Sequence, residues 1–226
     1  MIRSNKMNKK WPRYQDYVIR DGTLIGEFEN MYNDYNDPWS QTECGQLATF
    51  TGTGLQMLER IKKSTKLTRV LELGCGLGEF ANRIHSIGYD ILGIDISPTA
   101  IKKARARYPK IEFKEADINN YQMILDFKPD IIVMSEITWY ILDDLKSFLS
   151  FVKLNLPNSL ILHLLSTYPR GSQSYGKEYF IDMDGILEFF KMIYIEYGQI
   201  VKINGSKETF FLGAWSKESA EQHSTS

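Results

Sequence analysis

The chain has 226 residues, 43% hydrophobic and 24% charged, with a formal net charge of −1. That suits one globular domain with elaborations, and it excludes the basic surplus that a general nucleic-acid binder or a membrane-surface protein would use. With no run of about 18 apolar residues and no apolar stretch behind the N-terminal charges, neither a membrane-spanning helix nor a secretory signal is expected.

Residues 1–40 are polar and aromatic, with Trp11, Tyr14, Tyr17, Phe28, Tyr32, Tyr35 and Trp39. The first twenty are locally basic: Arg3, Lys6, Lys9, Lys10, Arg13 and Arg20 face only Asp16. A solvated arm explains this charge, and so does closure over an anionic ligand. The segment has too few aliphatic residues for its own core, so it reads as an arm or cap on a larger domain, 41–216. Asp37-Pro38-Trp39 punctuates its end.

Gly45 to Lys63 has helical apolar spacing through Leu47, Phe50, Met57, Leu58 and Ile61. Leu67 to Leu73 predicts a strand, Glu79 to Ile87 a helix, and Asp90 to Asp95 a second strand. Ser97 as N-cap and Pro98 at the first position start a helix that Pro109 stops. Ile111 to Ala116 is a short third strand, and Asn119 to Phe127 a helix ended by Lys128-Pro129. Asp130 to Ser135 is apolar without alternation, as a parallel strand buried on both faces should be.

Asp143 to Leu156 predicts a helix capped near Asp143, then Leu160 to Leu165 a fifth strand. Residues 166–182 read as a polar loop and Met183 to Lys191 as a helix. Ile193 to Ile203 and Glu208 to Trp215 flank Asn204-Gly205, a hairpin signal. The last ten residues, 217–226, are a polar tail. Alternating strands and helices predict an α/β fold with a doubly wound, Rossmann-like parallel sheet.

Glu72-Leu73-Gly74-Cys75-Gly76-Leu77-Gly78 lies between the first strand and its helix, and Asp95 ends the second strand. Strand, glycine loop, helix, strand and acid form a nucleotide-binding βαβ unit, in which the acid can grip ribose hydroxyls. Nicotinamide, flavin and S-adenosylmethionine sites all share this loop. Glu72 before the glycines, Asp117 after the third strand and Glu136 after the fourth tell them apart. Phosphates are poor neighbours for so many carboxylates, whereas S-adenosylmethionine has no phosphate and a positive sulfonium.

The motifs Glu72 to Gly78, Gly93-Ile94-Asp95-Ile96-Ser97, Glu115-Ala116-Asp117-Ile118 and Asp130 to Glu136 resemble those of class I S-adenosylmethionine-dependent methyltransferases. The likeness covers about residues 45–216. It implies a seven-stranded sheet of order 3-2-1-4-5-7-6 with strand seven antiparallel, behind an N-terminal helical and aromatic cap. Asp37-Pro38-Trp39, Ser135 to Ile141 and Gly171 to Gly185 are similar to the nodulation protein S-like enzymes, which methylate an amine on a sugar-derived acceptor. The chain departs from these at Thr138-Trp139 and Tyr175-Gly176-Lys177, near the expected acceptor pocket.

The resemblance implies S-adenosylmethionine as donor, S-adenosylhomocysteine as product and in-line displacement at the methyl carbon. Asp95 is expected on the ribose, with Ile96 beside it, and Asp117 and Ile118 at the adenine. Backbone around Gly74 is expected at the methionine amine, with Gly76 and Gly78 giving clearance, and Glu72 and Ser135 are further expected donor-binding residues. Glu136 is the first candidate for holding the acceptor or taking its proton, and His163 the second. Tyr14, Trp139 and Tyr140 are candidates for the acceptor pocket. Each has a plainer alternative: a strand-end cap for the acids, a satisfied core position for the histidine and the aromatics.

No Cys or His pair has metal-site spacing, so no metal is expected, and Cys44 and Cys75 read as reduced thiols of a cytoplasmic protein. The expected partner is a small polar acceptor, a sugar, nucleotide-sugar or related metabolite, with neither nucleic acid nor membrane, on a monomer or homodimer. The competing readings are a nicotinamide-dependent oxidoreductase and a non-catalytic S-adenosylmethionine-binding module. The motif of amino-methylating DNA enzymes is missing after the fourth strand, where Ser135-Glu136 stands.

Overall fold

The computed structural model describes residues 10–42, 49–169 and 171–223. Its first elements are a 3-10 helix (Tyr14–Tyr17), a two-stranded hairpin of β1 (Ile19–Arg20) and β2 (Thr23–Leu24), and helix α1 (Phe28–Asp34). Then come α2 (Thr49–Ser64), β3 (Arg69–Leu73), α3 (Glu79–Ser86), β4 (Asp90–Asp95), α4 (Pro98–Arg107), β5 (Glu112–Glu115), α5 (Tyr121–Phe127) and β6 (Ile131–Ser135). A 3-10 turn (Thr138–Tyr140), α6 (Leu142–Asn155), β7 (Leu160–Thr167), α7 (Met183–Phe190), β8 (Ile193–Val201), β9 (Lys207–Ala214) and α8 (Lys217–His223) complete the order.

β3 to β9 form one sheet of order β5-β4-β3-β6-β7-β9-β8, parallel except for β9, which runs against both of its neighbours. Counted from β3, this is the expected 3-2-1-4-5-7-6. The central strands are apolar throughout because both faces are covered. In β6, Ile132 and Met134 join the cluster under α5, α6 and α7, while Ile131 and Val133 join the one under α2, α3 and α4. The reversal of strand order lies between β3 and β6, where ligands of open α/β sheets bind.

Several local expectations hold and others are corrected. Ser97 caps α4 by accepting from the Ala100 N–H at 3.1 Å, with Pro98 first in the helix. Asp143 caps nothing: the residue before α6 is Ile141, and Asp143 and Asp144 lie in the first turn, where their charge meets the helix dipole. The helix expected from Asn119 begins at Tyr121. Residues 45–48, Cys44 and the arm before Lys10 lie outside the described residues. Most of the expected tail is α8, with Ser219 and Ala220 buried.

Residues 10–42 borrow their core. Tyr17, Val18, Met31 and Tyr32 cluster with Leu77 of the glycine loop and Ala100 of α4. Glu29 accepts from the Ser97 and Thr99 hydroxyls, each at 2.6 Å, and from the Thr99 N–H at 3.0 Å, satisfying donors at the start of α4. Lys103 donates to the carbonyls of Tyr32 and Tyr35 at the end of α1, at 2.6 and 2.9 Å. Among the described residues, no helix is long and apolar enough to cross a membrane.

Candidate active site

A cavity of about 540 Å³ opens over the C-terminal edge of the sheet, within the usual range for a small-molecule site. Its floor is built by successive strand ends: Glu72 and Gly74 from β3, Asp95 and Ile96 from β4, Asp117 and Ile118 after β5, Ser135 and Glu136 from β6. Tyr14, Phe28, Tyr32, Trp39 and Gln41 wall it from the N-terminal segment, and Lys202 and Glu208 from the β8–β9 hairpin. The fold therefore gathers most of the residues singled out from the sequence.

Asp95 is fixed by two backbone donors, Gly76 N–H to Oδ2 and Ser97 N–H to Oδ1, both at 2.9 Å. Each oxygen keeps a lone pair for another donor. Burial pushes its carboxyl up to about 6, against the pull of those N–H groups. Glu72 is more extreme. It is 3% exposed, its Oε2 has no hydrogen-bond partner, and burial together with the Asp95 charge pushes it up to about 8. Asp117 is half-buried and turns Oδ1 to the Asn119 N–H at 2.8 Å.

Glu136 occupies the opposite end. Its φ of +58° is unusual for a residue with a side chain, and such strain concentrates at functional sites. The Ser166 N–H donates to its Oε1, and its own N–H donates to the Leu164 carbonyl at 2.9 Å. Burial pushes its carboxyl up to about 7, with Ser166 opposing, Glu208 adding to the rise and Lys202 reducing it. Lys202 and Glu208 form an ion pair with Glu208 buried. Tyr140 packs between Phe28 and Trp39, with ring centroids 5.4 and 5.7 Å away, and Tyr14 stands edge-on to Trp39 at 4.9 Å.

Four expectations are corrected. His163 is fully buried in β7, bonded through Nε2 to the Thr138 hydroxyl at 2.8 Å and stacked on Phe211. Burial lowers it to about 3, so it is a neutral core residue out of reach of the cavity. Trp139 also faces inward: it is 3% exposed, donates its indole N–H to the Ser166 carbonyl at 2.9 Å and packs on Phe180. Only Gly74 of the three loop glycines lines the cavity. A Cβ on Gly76 would fall 2.7 Å from the Tyr32 hydroxyl, and one on Gly78 2.6 Å from Phe113. Those two positions clear the way for the protein's own side chains rather than for a ligand.

Sequence reasoning missed Gln41, Tyr32, Arg83, Lys202 and Glu208. Gln41 accepts from the Leu77 N–H at 2.8 Å, tying the N-terminal segment to the glycine loop across 36 positions. Asp37-Pro38-Trp39 was the nearest signal, since the Asp37 carboxylate shapes that turn by accepting from the N–H groups of Gln41 and Thr42, at 2.8 and 2.9 Å. Nothing local marks the hairpin pair. Cys75 is buried and unbridged, and the described residues hold no group of three or more His, Cys, Asp or Glu side chains placed to hold a metal.

Residues 70–155 match the methyltransferase domain family. Over 98 residues, 42% of the chain, it is 37% identical to a methyltransferase-like protein (235L) of Invertebrate iridescent virus 6, covering 36% of that protein. It is 29% identical over 112 residues to nodulation protein S of Bradyrhizobium diazoefficiens, covering 48% of this chain and 51% of that one. The chain thus spans about half or less of the length of these curated relatives. In fold it is similar to the crystal structure of N-methyltransferase NodS from Bradyrhizobium japonicum with S-adenosyl-L-homocysteine, at 18% identity and TM-score 0.58 over 80% of this chain and 94% of that one.

That structure of nodulation protein S was solved with S-adenosyl-L-homocysteine, and the residues lining the present cavity fit S-adenosylmethionine. The unpartnered, buried Glu72 oxygen suits a cationic group, and Asp95 keeps acceptor capacity for hydroxyls. Over residues 70–155 the chain matches the methyltransferase domain family, and it resembles the class I S-adenosylmethionine-dependent methyltransferases, nodulation protein S among them.

Proposed function

We propose that the chain transfers a methyl group from S-adenosylmethionine to nitrogen or oxygen of a small polar acceptor, a sugar, nucleotide-sugar or related metabolite. One observation carries this reading. Carboxyl groups stand at or just past the C-terminal ends of four neighbouring strands, Glu72, Asp95, Asp117 and Glu136, and all line one cavity. Ionising these acids is favoured by a phosphate-free cation and opposed by a pyrophosphate, which disfavours a nicotinamide cofactor.

The donor supplies an activated methyl group on positive sulfur, so the protein's task is to position, desolvate and move one proton. Asp95 accepts the ribose hydroxyls through its remaining lone pairs. Asp117 accepts the adenine amino group between Ile96 and Ile118. Glu72 and the backbone around Gly74 receive the ammonium, and Ser135 lies beside them. Residues 10–40 act as a cap, with Tyr14, Trp39 and Tyr140 offering flat faces to the acceptor. Glu136, held by Ser166 and raised to about 7, has the affinity a general base needs near neutral pH.

Calorimetric titration with S-adenosylhomocysteine and NADH, followed by donor consumption against a panel of polar amines and alcohols, tests the reading. Homocysteine-product binding, its loss in Asp95→Ala and turnover with a polar acceptor are expected. Binding of NADH alone would sink the proposal, and donor binding without transfer to any acceptor would mark a non-catalytic module.

A further inference from the structure

Among the described residues, β8 ends the sheet: one of its edges pairs with β9 and the other is bare. Lys202, just past the strand, donates its N–H to the Ser206 carbonyl at 2.9 Å. Hydrogen-bonded and non-hydrogen-bonded pairs alternate along an antiparallel ladder, so Ile200 and Gly198 also bond toward β9. Tyr197, Gln199 and Val201 then turn their N–H and C=O groups to the open edge. The side chains of Tyr197 and Val201 are 59% and 62% exposed, and Ile203 beyond them is fully exposed. Edge strands are normally blunted by proline, by charge or by a bulge. Residues 193–201 hold no proline, lysine or arginine, and the bulge between Tyr194 and Glu196 leaves the stretch after it regular.

That stretch is self-complementary about Gln199. When two copies pair antiparallel with Gln199 at the centre, Tyr197 stands opposite Val201, Gln199 opposite itself and Glu196 opposite Lys202. Outward-facing residues of one copy then meet outward-facing residues of the other, giving about six main-chain hydrogen bonds. Glu196 is already bonded to Arg60, and Lys202 to Glu208. The pairing extends these into a row of alternating sign, Arg60, Glu196, Lys202, Glu208, in which no like charges face each other. Centring on Tyr197 instead would run the pairing into the bulge.

We propose that the chain forms a two-fold dimer with a second copy of itself through β8, joining two sheets into one. The inference is independent of the methyl-donor reading. It sets Glu196 of the second copy beside Lys202, which lines the cavity, so each copy places an acid at the hairpin end of the other's site. One strand pair with one apolar stripe is a small interface, so the dimer is reversible.

Sedimentation velocity between about 1 and 300 μM should show a monomer–dimer equilibrium. Gln199→Pro removes a donor that β9 does not use, and Val201→Lys puts a charge in the apolar stripe. Each variant should remain folded by circular dichroism and weaken dimerisation by about tenfold or more. In a Cys44→Ser background, mild oxidation should link Gln199→Cys to itself, because directly opposed residues lie within disulfide reach. Tyr197→Cys and Val201→Cys should link to each other and not to themselves. A monomer at every concentration would overturn the inference, as would a dimer that both Gln199→Pro and Val201→Lys leave unchanged. Self-linking of Tyr197→Cys as readily as Gln199→Cys would refute the register and the charge pairing that rests on it.

Discussion

If the proposed donor meets Glu72, its affinity should depend on pH. Its carboxyl is raised to about 8 by burial and by Asp95, so at pH 7 the free protein holds it protonated about ten to one. To face an ammonium it must ionise, which costs about 1.4 kcal/mol at pH 7. The apparent dissociation constant then scales as one plus ten to the power of the difference between 8 and the pH. That factor falls about ninefold from pH 6 to pH 7. Asp95, raised to about 6, must also ionise and adds a further factor of about two over the same interval. The donor's own α-amino group stays largely protonated there. Donor affinity should therefore rise roughly fifteenfold between pH 6 and pH 7 in the unmodified protein, and about twofold or less in Glu72→Gln. Titration in two buffers of different ionisation enthalpy should show about 0.9 proton released per donor at pH 7, absent from the variant. A flat profile, or the same slope in both proteins, would refute the argument that a neutral buried Glu72 is ionised by its ligand.

Other consequences concern the base, the cap and the core. Glu208→Gln removes an anion that raises Glu136 and leaves Lys202 to lower it, so the acid limb of the kcat profile should move to lower pH; an unmoved or raised midpoint counts against Glu136 as the base. Glu29→Ala strips three hydrogen bonds from the start of α4 and should cost about 1–2 kcal/mol in denaturant unfolding. It should also open residues 10–42 to limited proteolysis; unchanged protection would show that the aromatic cluster alone holds the segment. His163 is lowered from 6.5 to about 3, so the fold favours its neutral form. Its contribution is complete above pH 6.5 and is lost as pH falls toward 3, at up to about 1.4 kcal/mol per pH unit. His163→Asn should flatten the unfolding free energy across that window and leave methyl transfer at pH 8 within about twofold; a collapse of turnover with normal stability would restore a catalytic histidine.

The legible parts of the chain were those governed by short-range rules. Ile131 to Met134 reads as a doubly buried strand because apolar residues are needed on both faces, and the hydrophobic clusters on either side of β6 bear this out. Ser97-Pro98 announces its own cap, and the spacing from the glycine loop to Asp95 is a local signature. His163 misled because a histidine in an apolar strand carries the same letter whether it faces a cavity or Phe211. Gly76 and Gly78 misled for a related reason: a motif shows that a side chain is excluded, not what excludes it. Lys202, Glu208 and Gln41 reach the cavity from 60 or more positions away, or from a turn without periodicity, so no window of sequence places them beside Glu136 or Leu77.

The N-terminal segment and the donor loop are one piece of structure. Asp95 is held by the N–H groups of Gly76 and Ser97. The segment holds both neighbourhoods, because Gln41 accepts from Leu77 next to Gly76, and Glu29 accepts from the Ser97 hydroxyl. The same segment supplies Tyr14, Phe28 and Trp39 to the cavity wall and to the aromatic contacts around Tyr140. The hydrogen bonds around Asp95 and the aromatic contacts around Tyr140 are therefore linked through one stretch of backbone with a borrowed core. Changes at Glu29 should therefore shift the aromatic wall of the cavity without touching it, and changes in that wall should reach the hydrogen bonds that orient Asp95. Donor affinity and acceptor turnover should thus be measured together in any variant of this segment, since the geometry gives neither an independent support.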